Sequence, residues 1–507
     1  MTEPPAAYGP AATLARFPTA PGQPSPALPA AASAANLASV ASAASVASVA
    51  SATTTTNLAS VASGWPAGDG AAVPIVASVE MGFGHLRAAH ALAAALGTSV
   101  THADRPPLAG AEEERLWRSA RRLYEATARA SQLPLLGAPL RALLDSLTSI
   151  PHLYPKRDLS AATLQARSLE RLIRKGLGAG LVERLRQTGA PLLTTYFATA
   201  VVADAHGCGP VYCVVTDVDL NRVWAPADPR QSRIVFLVPT RRALKRLRAY
   251  GVPRSLIELT GFPLPPELLG GPELAVLRRH LAGRLVRLDR KGVFRGQTRN
   301  EIEYFLGVDL PEDQERQPPL LTFTVGGAGA QAGLARALLR SLARLVRAGR
   351  LRLCLAAGIR PEIAARFERW VAEAGLADRL GGDVRIFLAA DLDGYFAGFN
   401  QLLAETDILW TKPSEMTFFG ALGIPLVFSQ PVGMHERYNR RWAVENGAGL
   451  KQREPAHAGY WLREWLAEGT LAAAAWSGFM RLPKFGLHQI VERVTGGVRA
   501  RGPRRAG

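Results

Sequence analysis

The sequence predicts an α/β protein with two Rossmann-like domains that face a cleft. Two observations support this fold class. From residue 73 onwards, short apolar runs alternate with amphipathic helical stretches, which is typical of a parallel sheet covered by helices on both faces. This alternation occurs in two separate series, and the segment between them is rich in Pro, Gly and charge without a strand pattern. Each series therefore predicts one domain.

The strands are predicted from the apolar runs. The first series contains the runs VPIVASV, PLLTTYF, VYCVVTDV, RIVFLV and LIELTGF, and the second contains LLTFTV, LRLCLAA, VRIFL, DILWTK and IPLVFS. We expect the first domain over residues 71–262 and the second over residues 319–495. Residues 263–318 are expected to be an interdomain connection with some helix.

Both ends of the chain have the composition of tails. Residues 1–70 consist largely of Ala, Ser, Thr and Pro. Such small side chains bury too little apolar area to offset the loss of chain entropy on folding, so we expect this segment to be disordered. Residues 496–507 are rich in Arg and Gly and are expected to form a flexible basic tail.

The bulk composition limits the possible partners and compartment. The formal net charge is +18, which favours an anionic partner such as acidic lipid or a nucleotide phosphate, although a solvated basic surface is an equally simple reading. There is no aromatic–basic or zinc-finger pattern typical of nucleic-acid binding. The three cysteines form no paired spacing and indicate a reduced, cytoplasmic setting. We expect no transmembrane helix, since no window approaches ~18 strongly apolar residues, and we expect no signal peptide.

A basic segment with aromatic residues covers residues 112–157. Trp117 and Tyr124 fall close to helical spacing and alternate with arginines. A basic amphipathic helix of this kind suits the interface of an anionic membrane, where the two aromatic side chains would receive a lipid acceptor. The alternative is a surface helix whose aromatic residues pack against their own domain.

The motif GFGH lies between a predicted strand and a predicted helix. Gly82 and Gly84 allow a ligand to approach the backbone, and the first N–H groups of the helix are unpaired. His85 follows the carboxyl end of a parallel strand, where ligands bind in open α/β sheets. With an ordinary pKa near ~6.5, it can act as a base at neutral pH. The alternative is a structural or capping histidine.

The motif VVTDVDLNRVWAP also places polar and aromatic side chains after the end of a predicted strand. Thr216 and Asp217 follow a strand, where a carboxylate can orient a hydroxyl or hold a nearby base, although Asp217 can equally cap a turn. Trp224 offers a flat ring to a sugar or a lipid. Asp217 and Asp219 are the nearest match to an Asp-x-Asp metal pattern.

The second domain contains two candidate regions for a nucleotide. The turn TVGGAGAQAG carries Gly326, Gly327 and Gly329, whose backbone N–H groups can contact a diphosphate. After the last two predicted strands the sequence is dense in hydrogen-bonding side chains, which indicates a phosphate, ribose or polyhydroxyl ligand, the alternative being a polar surface loop. These side chains are those of Lys412, Ser414, Glu415, Thr417, Gln430, His435, Glu436 and Asn439. Ser414 is the expected N-cap of the following helix.

In this order, the motifs resemble those of GT-B glycosyltransferases. The branch is that of monogalactosyldiacylglycerol synthase, processive diacylglycerol glucosyltransferase and the lipid II-forming N-acetylglucosaminyltransferase. The resemblance extends over residues 73–450. It rests on GFGHLRAAHAL, VVTDVDLNRVWAP, TGFPL, GGAGAQ, TKPSEMT, GIPLVFSQPVGMHERYN and NGAGL.

The resemblance implies a hexosyl transfer from a nucleotide-diphosphate sugar to a lipid or lipid-linked acceptor. His85 would be the general base on the acceptor hydroxyl, Gly326 and Gly327 would line the diphosphate path, and Glu436 and Asn439 would contact the donor. The nucleotide sugar would be a co-substrate, with no metal and no further cofactor. The protein would be cytoplasmic and peripheral on the inner face of the plasma membrane.

The sequence departs from that family on the donor side. Ser414 and Glu415 replace glycines, and Gly420 stands where the family has a ribose-binding Glu. A carboxylate near a diphosphate is unfavourable unless it is paired, and Lys412 is the expected partner of Glu415. A GT-B-fold binding or regulatory protein without transferase activity is therefore the alternative function. The sequence indicates no oligomeric state.

Overall fold

The described part of the chain contains two parallel six-stranded sheets. The computed structural model describes residues 73–119, 150–311, 317–324, 332–431 and 433–496. The strands of the first sheet are β1 (Ile75–Ser78), β2 (Thr101–His102), β3 (Leu192–Thr194), β4 (Val211–Val214), β5 (Val235–Val238) and β6 (Ile257–Leu259). They are all parallel and lie in the order β2-β1-β3-β4-β5-β6. We call this sheet and its helices the first domain.

Helices alternate with these strands. They are α1 (Phe83–Ala95), α2 (residues 111–119), α3 (Leu164–Arg174), α4 (Ala179–Thr188), α5 (Phe197–Ala205) and α6 (Arg241–Ala249). The strands β3 and β4 are buried along their whole length, as expected for a parallel sheet with helices on both faces.

The second sheet repeats this architecture. Its strands are β7 (Leu320–Thr324), β8 (Arg352–Gly358), β9 (Val384–Leu388), β10 (Ile408–Thr411), β11 (Leu426–Phe428) and β12 (Gly449–Lys451). They are parallel and lie in the order β12-β11-β10-β7-β8-β9. Counted from the first strand of this sheet, that is the Rossmann order. We call this sheet and its helices the second domain.

The remaining helices complete both domains. The connection contributes α7 (Ala275–Leu288) and α8 (Arg295–Leu306). The later helices are α9 (Ala332–Arg347), α10 (Pro361–Glu373), α11 (Leu392–Glu405), α12 (Met434–Glu445), α13 (Ala458–Ala467), α14 (Thr470–Arg481) and α15 (Gly486–Val494). A 3-10 helix covers Glu415–Leu422.

The predicted fold class is confirmed, and each of the ten predicted strands is present. The sequence analysis did not predict β2 or β12, which are edge strands of two and three residues. Such short strands carry too few apolar residues to form a recognisable run. The predicted disorder of residues 1–70 lies outside the described residues, and so does the predicted flexible tail of residues 496–507 apart from its first residue.

The chain crosses between the two domains twice. After β6 it passes to α7, whose Leu277, Leu281 and Leu285 pack in the core of the second domain. After α14 it returns through α15, whose Leu487 and Ile490 pack in the core of the first domain. Residues that follow the carboxyl ends of the strands meet between the two domains, where Gly84 packs against Glu415 and Asp217 accepts from Asn439. The sequence predicts the cleft of a GT-B fold at this place.

Candidate active site

His85 lies in the first turn of α1, directly after the carboxyl end of β1. The turn into the helix needs a glycine at position 82, because the backbone there has φ +113, which other residues rarely adopt. The imidazole is half-buried on the cleft side of the first sheet. The sequence predicted this location.

The hydrogen bonds of His85 define which ring nitrogen carries the proton. Nδ1 lies 2.8 Å from the backbone oxygen of Thr195, and Thr216 Oγ1 is 3.1 Å from the same nitrogen. A carbonyl oxygen only accepts, so Nδ1 donates and the neutral ring has its lone pair on Nε2. Thr195 also holds the helix, since its hydroxyl donates to the backbone oxygen of His85 at 2.9 Å. Nε2 is thereby the nitrogen that can accept a proton.

The pKa of His85 lies below its ordinary value of 6.5. Burial is the main cause, because it disfavours the charged ring. The negative charge of Asp217, the backbone hydrogen bond with Thr195 and the charge of Glu415 raise this pKa, whereas His435 lowers it. The imidazole is therefore neutral at pH 7 and can act as a base.

Aromatic rings form the wall beside His85. The ring centroid of Tyr196 is 5.1 Å away and that of Trp224 is 5.9 Å away. Phe197 packs against Trp224 at 5.5 Å. The Trp224 side chain, for which we expected an open face, is only 6% exposed.

Asp217 lies at the domain interface, where Asn439 of the second domain binds it. The Asn439 amide donates to Asp217 Oδ1 at 2.9 Å and to the backbone oxygen of Pro413 at 3.2 Å, and its oxygen accepts from the Val218 N–H at 2.9 Å. Both amide hydrogens are therefore used, and the side chain is fully buried. In this arrangement Asn439 joins the two domains instead of presenting its amide to a donor.

The prediction of an ion pair between Lys412 and Glu415 is wrong. Lys412 Nζ lies 3.0 Å from Glu436 Oε1. Glu415 lies instead toward the first domain, where its carboxylate is 3.7 Å from Arg87 Nε. The physical reason is the close packing of Glu415 against α1, because a Cβ at Gly84 would be 2.9 Å from Glu415 Oε2. The glycine at position 84 therefore accommodates Glu415.

Three predicted donor residues, Ser414, Glu415 and Thr417, lie in or beside the 3-10 helix. Ser414 occupies its N-cap position, but the side chain makes no capping hydrogen bond, because it is the backbone oxygen of Ser414 that accepts from the Thr417 N–H at 3.0 Å. Thr417 is fully buried, and its hydroxyl has no hydrogen-bond partner among the described residues. Thr417 thus does not present its hydroxyl to the cleft in this arrangement.

The other predicted donor residues follow β11. His435 is half-buried in the first turn of α12, close enough to His85 to lower its pKa. Gln430 is exposed and lies 3.5 Å from Arg440 NH1. Glu436 is 3% exposed, one turn before Asn439 on the same helix. Of these residues, His435, Glu436 and Asn439 lie at the cleft.

Some predicted residues are elsewhere or outside the described residues. Trp117 is 4% exposed, and its Nε1 donates to Glu113 at 3.1 Å. Its ring packs in the core of the first domain, so it offers no face to a lipid acceptor, and the alternative of packing against its own domain applies to this residue. The remaining predicted residues, Tyr124, Gly326, Gly327 and Gly329, lie outside the described residues.

Asp219 forms ion pairs with two arginines of its own domain. Its carboxylate is fully buried and accepts from Arg242 Nε at 2.6 Å and from Arg246 Nε at 2.7 Å. The guanidinium of Arg242 lies 4.2 Å from the ring centroid of Tyr438 on α12. Asp219 and Asp217 therefore do not act together, since one holds two arginines and the other binds Asn439.

Arg87 is a residue at the domain interface that was not predicted from the sequence. It is 3% exposed, and its guanidinium lies among aromatic rings of the second domain. The available signal was an arginine on the same helix face as Phe83 in an otherwise Ala-rich helix. That signal shows which face of α1 is covered but not which domain covers it.

Together, the fold and the site define a two-domain α/β protein with a candidate ligand cleft between the carboxyl ends of two parallel sheets. Residues 364–477 match a family described as a domain of unknown function, DUF6938. Among curated proteins, none matches the sequence significantly.

Several solved structures are similar to this chain at low identity. MurG of Acinetobacter baumannii is 14% identical with a TM-score of 0.44, over 83% of this chain and 98% of that chain. The calicheamicin glycosyltransferase CalG4 is 13% identical with a TM-score of 0.43, over 83% and 97%. S. aureus MnaA, solved with UDP, is 12% identical with a TM-score of 0.42, over 83% and 95%. We base the functional proposal on the geometry of this chain's own residues.

The described helices are too short or too polar for a membrane span. Within that part of the chain, none has both the length and the apolar character needed to cross a membrane.

Proposed function

We propose that the protein is a GT-B glycosyltransferase that moves a hexosyl group from a nucleotide-diphosphate sugar to the hydroxyl of a lipid or lipid-linked acceptor. The observation that carries this proposal is His85. Its Nδ1 is tied to the Thr195 carbonyl at 2.8 Å, so Nε2 is unprotonated beside the domain cleft. A neutral, oriented imidazole at that place is suited to general-base catalysis.

In the proposed reaction, His85 Nε2 accepts the proton of the acceptor hydroxyl. The hydroxyl oxygen bonds to the anomeric carbon of the sugar, and the bond from that carbon to the nucleotide diphosphate breaks. The imidazolium formed is stabilised by the nearby charges of Asp217 and Glu415, both of which raise the pKa of His85. A productive complex needs the hydroxyl within ~3 Å of Nε2.

The second domain would hold the donor. Residues 325–331, which carry Gly326, Gly327 and Gly329, connect the end of β7 to α9 and lie outside the described residues. Backbone N–H groups there would bind the diphosphate. Lys412 would add a positive charge next to Glu436, and His435 would face the sugar from α12. We propose that this arrangement operates without a metal ion.

The acceptor would approach through the first domain. The net charge of +18 favours an anionic membrane surface. A peripheral position on the inner face of the plasma membrane is part of this proposal.

The alternative is a GT-B-fold binding protein without transferase activity. One observation favours it: Asn439 and Glu436, two of the predicted donor contacts, are buried and already engaged with Asp217 and Lys412. A donor would have to replace these contacts or use others.

Calorimetry and a transfer assay distinguish these functions. The protein is titrated with UDP, UDP-glucose and UDP-galactose, and transfer is measured with the same donors. Binding followed by transfer supports the enzyme. Binding without hydrolysis or transfer supports the alternative, and the absence of binding to any of these nucleotides contradicts the donor half of the proposal.

A further inference from the structure

Arg87 extends from α1 of the first domain into an aromatic cage of the second. Its guanidinium carbon lies between 4.6 and 5.5 Å from the centroids of four rings. These rings belong to Phe399 (4.6 Å), Phe396 (5.1 Å), Tyr395 (5.3 Å) and Phe419 (5.5 Å). Such distances are within the range of cation–π attraction, which is strongest when the cation is desolvated. Arg87 is 3% exposed and meets that condition.

The polar contacts of Arg87 are few for a buried charge. NH2 donates to the Tyr395 hydroxyl at 3.1 Å, and Nε is 3.7 Å from Glu415 Oε1, beyond hydrogen-bond distance. Nε and NH1 have no hydrogen-bond partner among the described residues. Because a buried guanidinium is costly when it is unpaired, the rings and the Glu415 charge must offset its desolvation. All of these partners are in the second domain.

The same face of α1 makes further contacts with α11. Phe83, one turn before Arg87, packs against Tyr395 at 5.1 Å. His90, one turn after it, places Nε2 2.8 Å from Asp393 Oδ1. The residues at positions 83, 87 and 90 share one helix face, so the whole face rests on the second domain.

His85 lies on a different side of the same helix. Its ring contacts Thr195 and Tyr196 of the first domain, whereas Arg87, two residues later, contacts the second. The first turns of α1 are therefore fixed from both sides. Any displacement of Arg87 from its cage changes the distance between His85 and the second-domain groups that face it.

We propose that Arg87 is a positioning residue that holds α1, and with it His85, in register with the second domain. Its effect on catalysis rests on the proposed function. The domain contact itself does not, because it is a contact between side chains of the chain itself.

Hydrogen–deuterium exchange of the full chain tests the contact without any substrate. In Arg87→Met, we expect amides of α11 and of the first turns of α1 to exchange at least about tenfold faster, while those of β7 and β10 in the core stay protected. Arg174→Met, a change at an exposed position on α3, is the matched control and should leave α11 unchanged. Unchanged exchange in α11 of Arg87→Met would overturn the proposal.

A second variant tests the same contact if Arg87→Met does not fold. Tyr395→Phe removes only the hydroxyl that accepts from Arg87 and keeps the ring. We expect a smaller increase in α11 exchange. If Arg87→Met unfolds and Tyr395→Phe exchanges as the wild type does, the proposal fails.

Kinetics then separate positioning from simple destabilisation. A misplacement of about 1 Å can cost ~10² in rate. For Arg87→Met we therefore expect a fall of that order in kcat, with nucleotide affinity within about threefold of wild type. Arg87→Lys keeps the charge but not the planar stacking group, and it should restore only part of kcat. A wild type that lacks transfer refutes the proposed function, whereas the exchange result still decides the role of Arg87.

Discussion

The proposed role of His85 as a general base depends on the protonation state of its ring. A carbonyl oxygen fixes the proton on Nδ1, and burial lowers the pKa of the ring. A base must be unprotonated to act, so activity is full above that pKa and is lost as the pH falls through it. We expect kcat/KM to be flat at neutral pH, with an acid limb below 6.5.

The Asp217→Asn variant tests this electrostatic environment. Asp217 raises the pKa of His85, so its neutralisation should move the acid limb to lower pH. It should also reduce kcat by about tenfold, because the imidazolium loses a nearby negative charge. The measurement is the pH dependence of kcat/KM, with Asp228→Asn at an exposed position of the same domain as control. A shift of the limb to higher pH contradicts this assignment.

At the scale of elements, α7 is attached to the second domain through a buried arginine. Arg284 is 1% exposed and donates to the backbone oxygens of Thr406 and Leu422, both at 2.9 Å. These carbonyls lie at the ends of α11 and of the 3-10 helix, where the last carbonyls lack helical partners. Burial lowers the pKa of Arg284 to about 10, so it is still charged at pH 7.

Loss of Arg284 should destabilise the second domain strongly. In Arg284→Met, the carbonyls lose their donor in a dry environment, at a cost of about 1–3 kcal/mol for each unsatisfied group. We expect the free energy of unfolding to fall by roughly 3 kcal/mol, measured by urea denaturation. Arg279→Met, at an exposed position of the same helix, should change it by less than about 0.5 kcal/mol. Equal stability of the two variants would contradict the capping role.

The strands were predictable from the sequence, whereas several contacts of the candidate site were not. Long apolar runs indicated ten strands, and the strand ends at His85, Thr216 and Lys412 indicated the cleft, because parallel strands have their carboxyl ends at one edge. The partners of Glu415 and Asn439 were not predictable. Each contacts a residue more than 200 positions away in the chain, and local spacing contains no information about such contacts.

At the scale of the whole molecule, the two domains are joined by more than the chain crossings. The ring of Phe262, at the first crossing, stacks on Phe418 with centroids 4.5 Å apart. The Asn439 amide and the Arg87 cage add contacts at the cleft itself. Helix α15 packs on the first domain although its residues fall in the range expected for the second. An apolar helix face shows that a partner exists but not which sheet provides it.

The net charge of the whole chain leads to a prediction for the proposed membrane contact. Lys and Arg number 60 against 42 Asp and Glu. We expect the protein to float with vesicles that contain anionic lipid and not with pure phosphatidylcholine vesicles. Binding should weaken as salt rises above ~0.1 M, where charges are screened beyond ~10 Å. Flotation that depends on neither lipid charge nor salt would count against an electrostatic membrane contact.

The central claim is that His85 is the general base of a glycosyl transfer, and the most direct measurement is the turnover of His85→Ala. Transfer and donor affinity are measured together, with His206→Ala, an exposed histidine at the end of α5 in the first domain, as control. The account predicts that kcat falls by ~10²–10⁴ while the donor affinity stays within about threefold of wild type. Undiminished turnover in His85→Ala, with donor still bound, would contradict it.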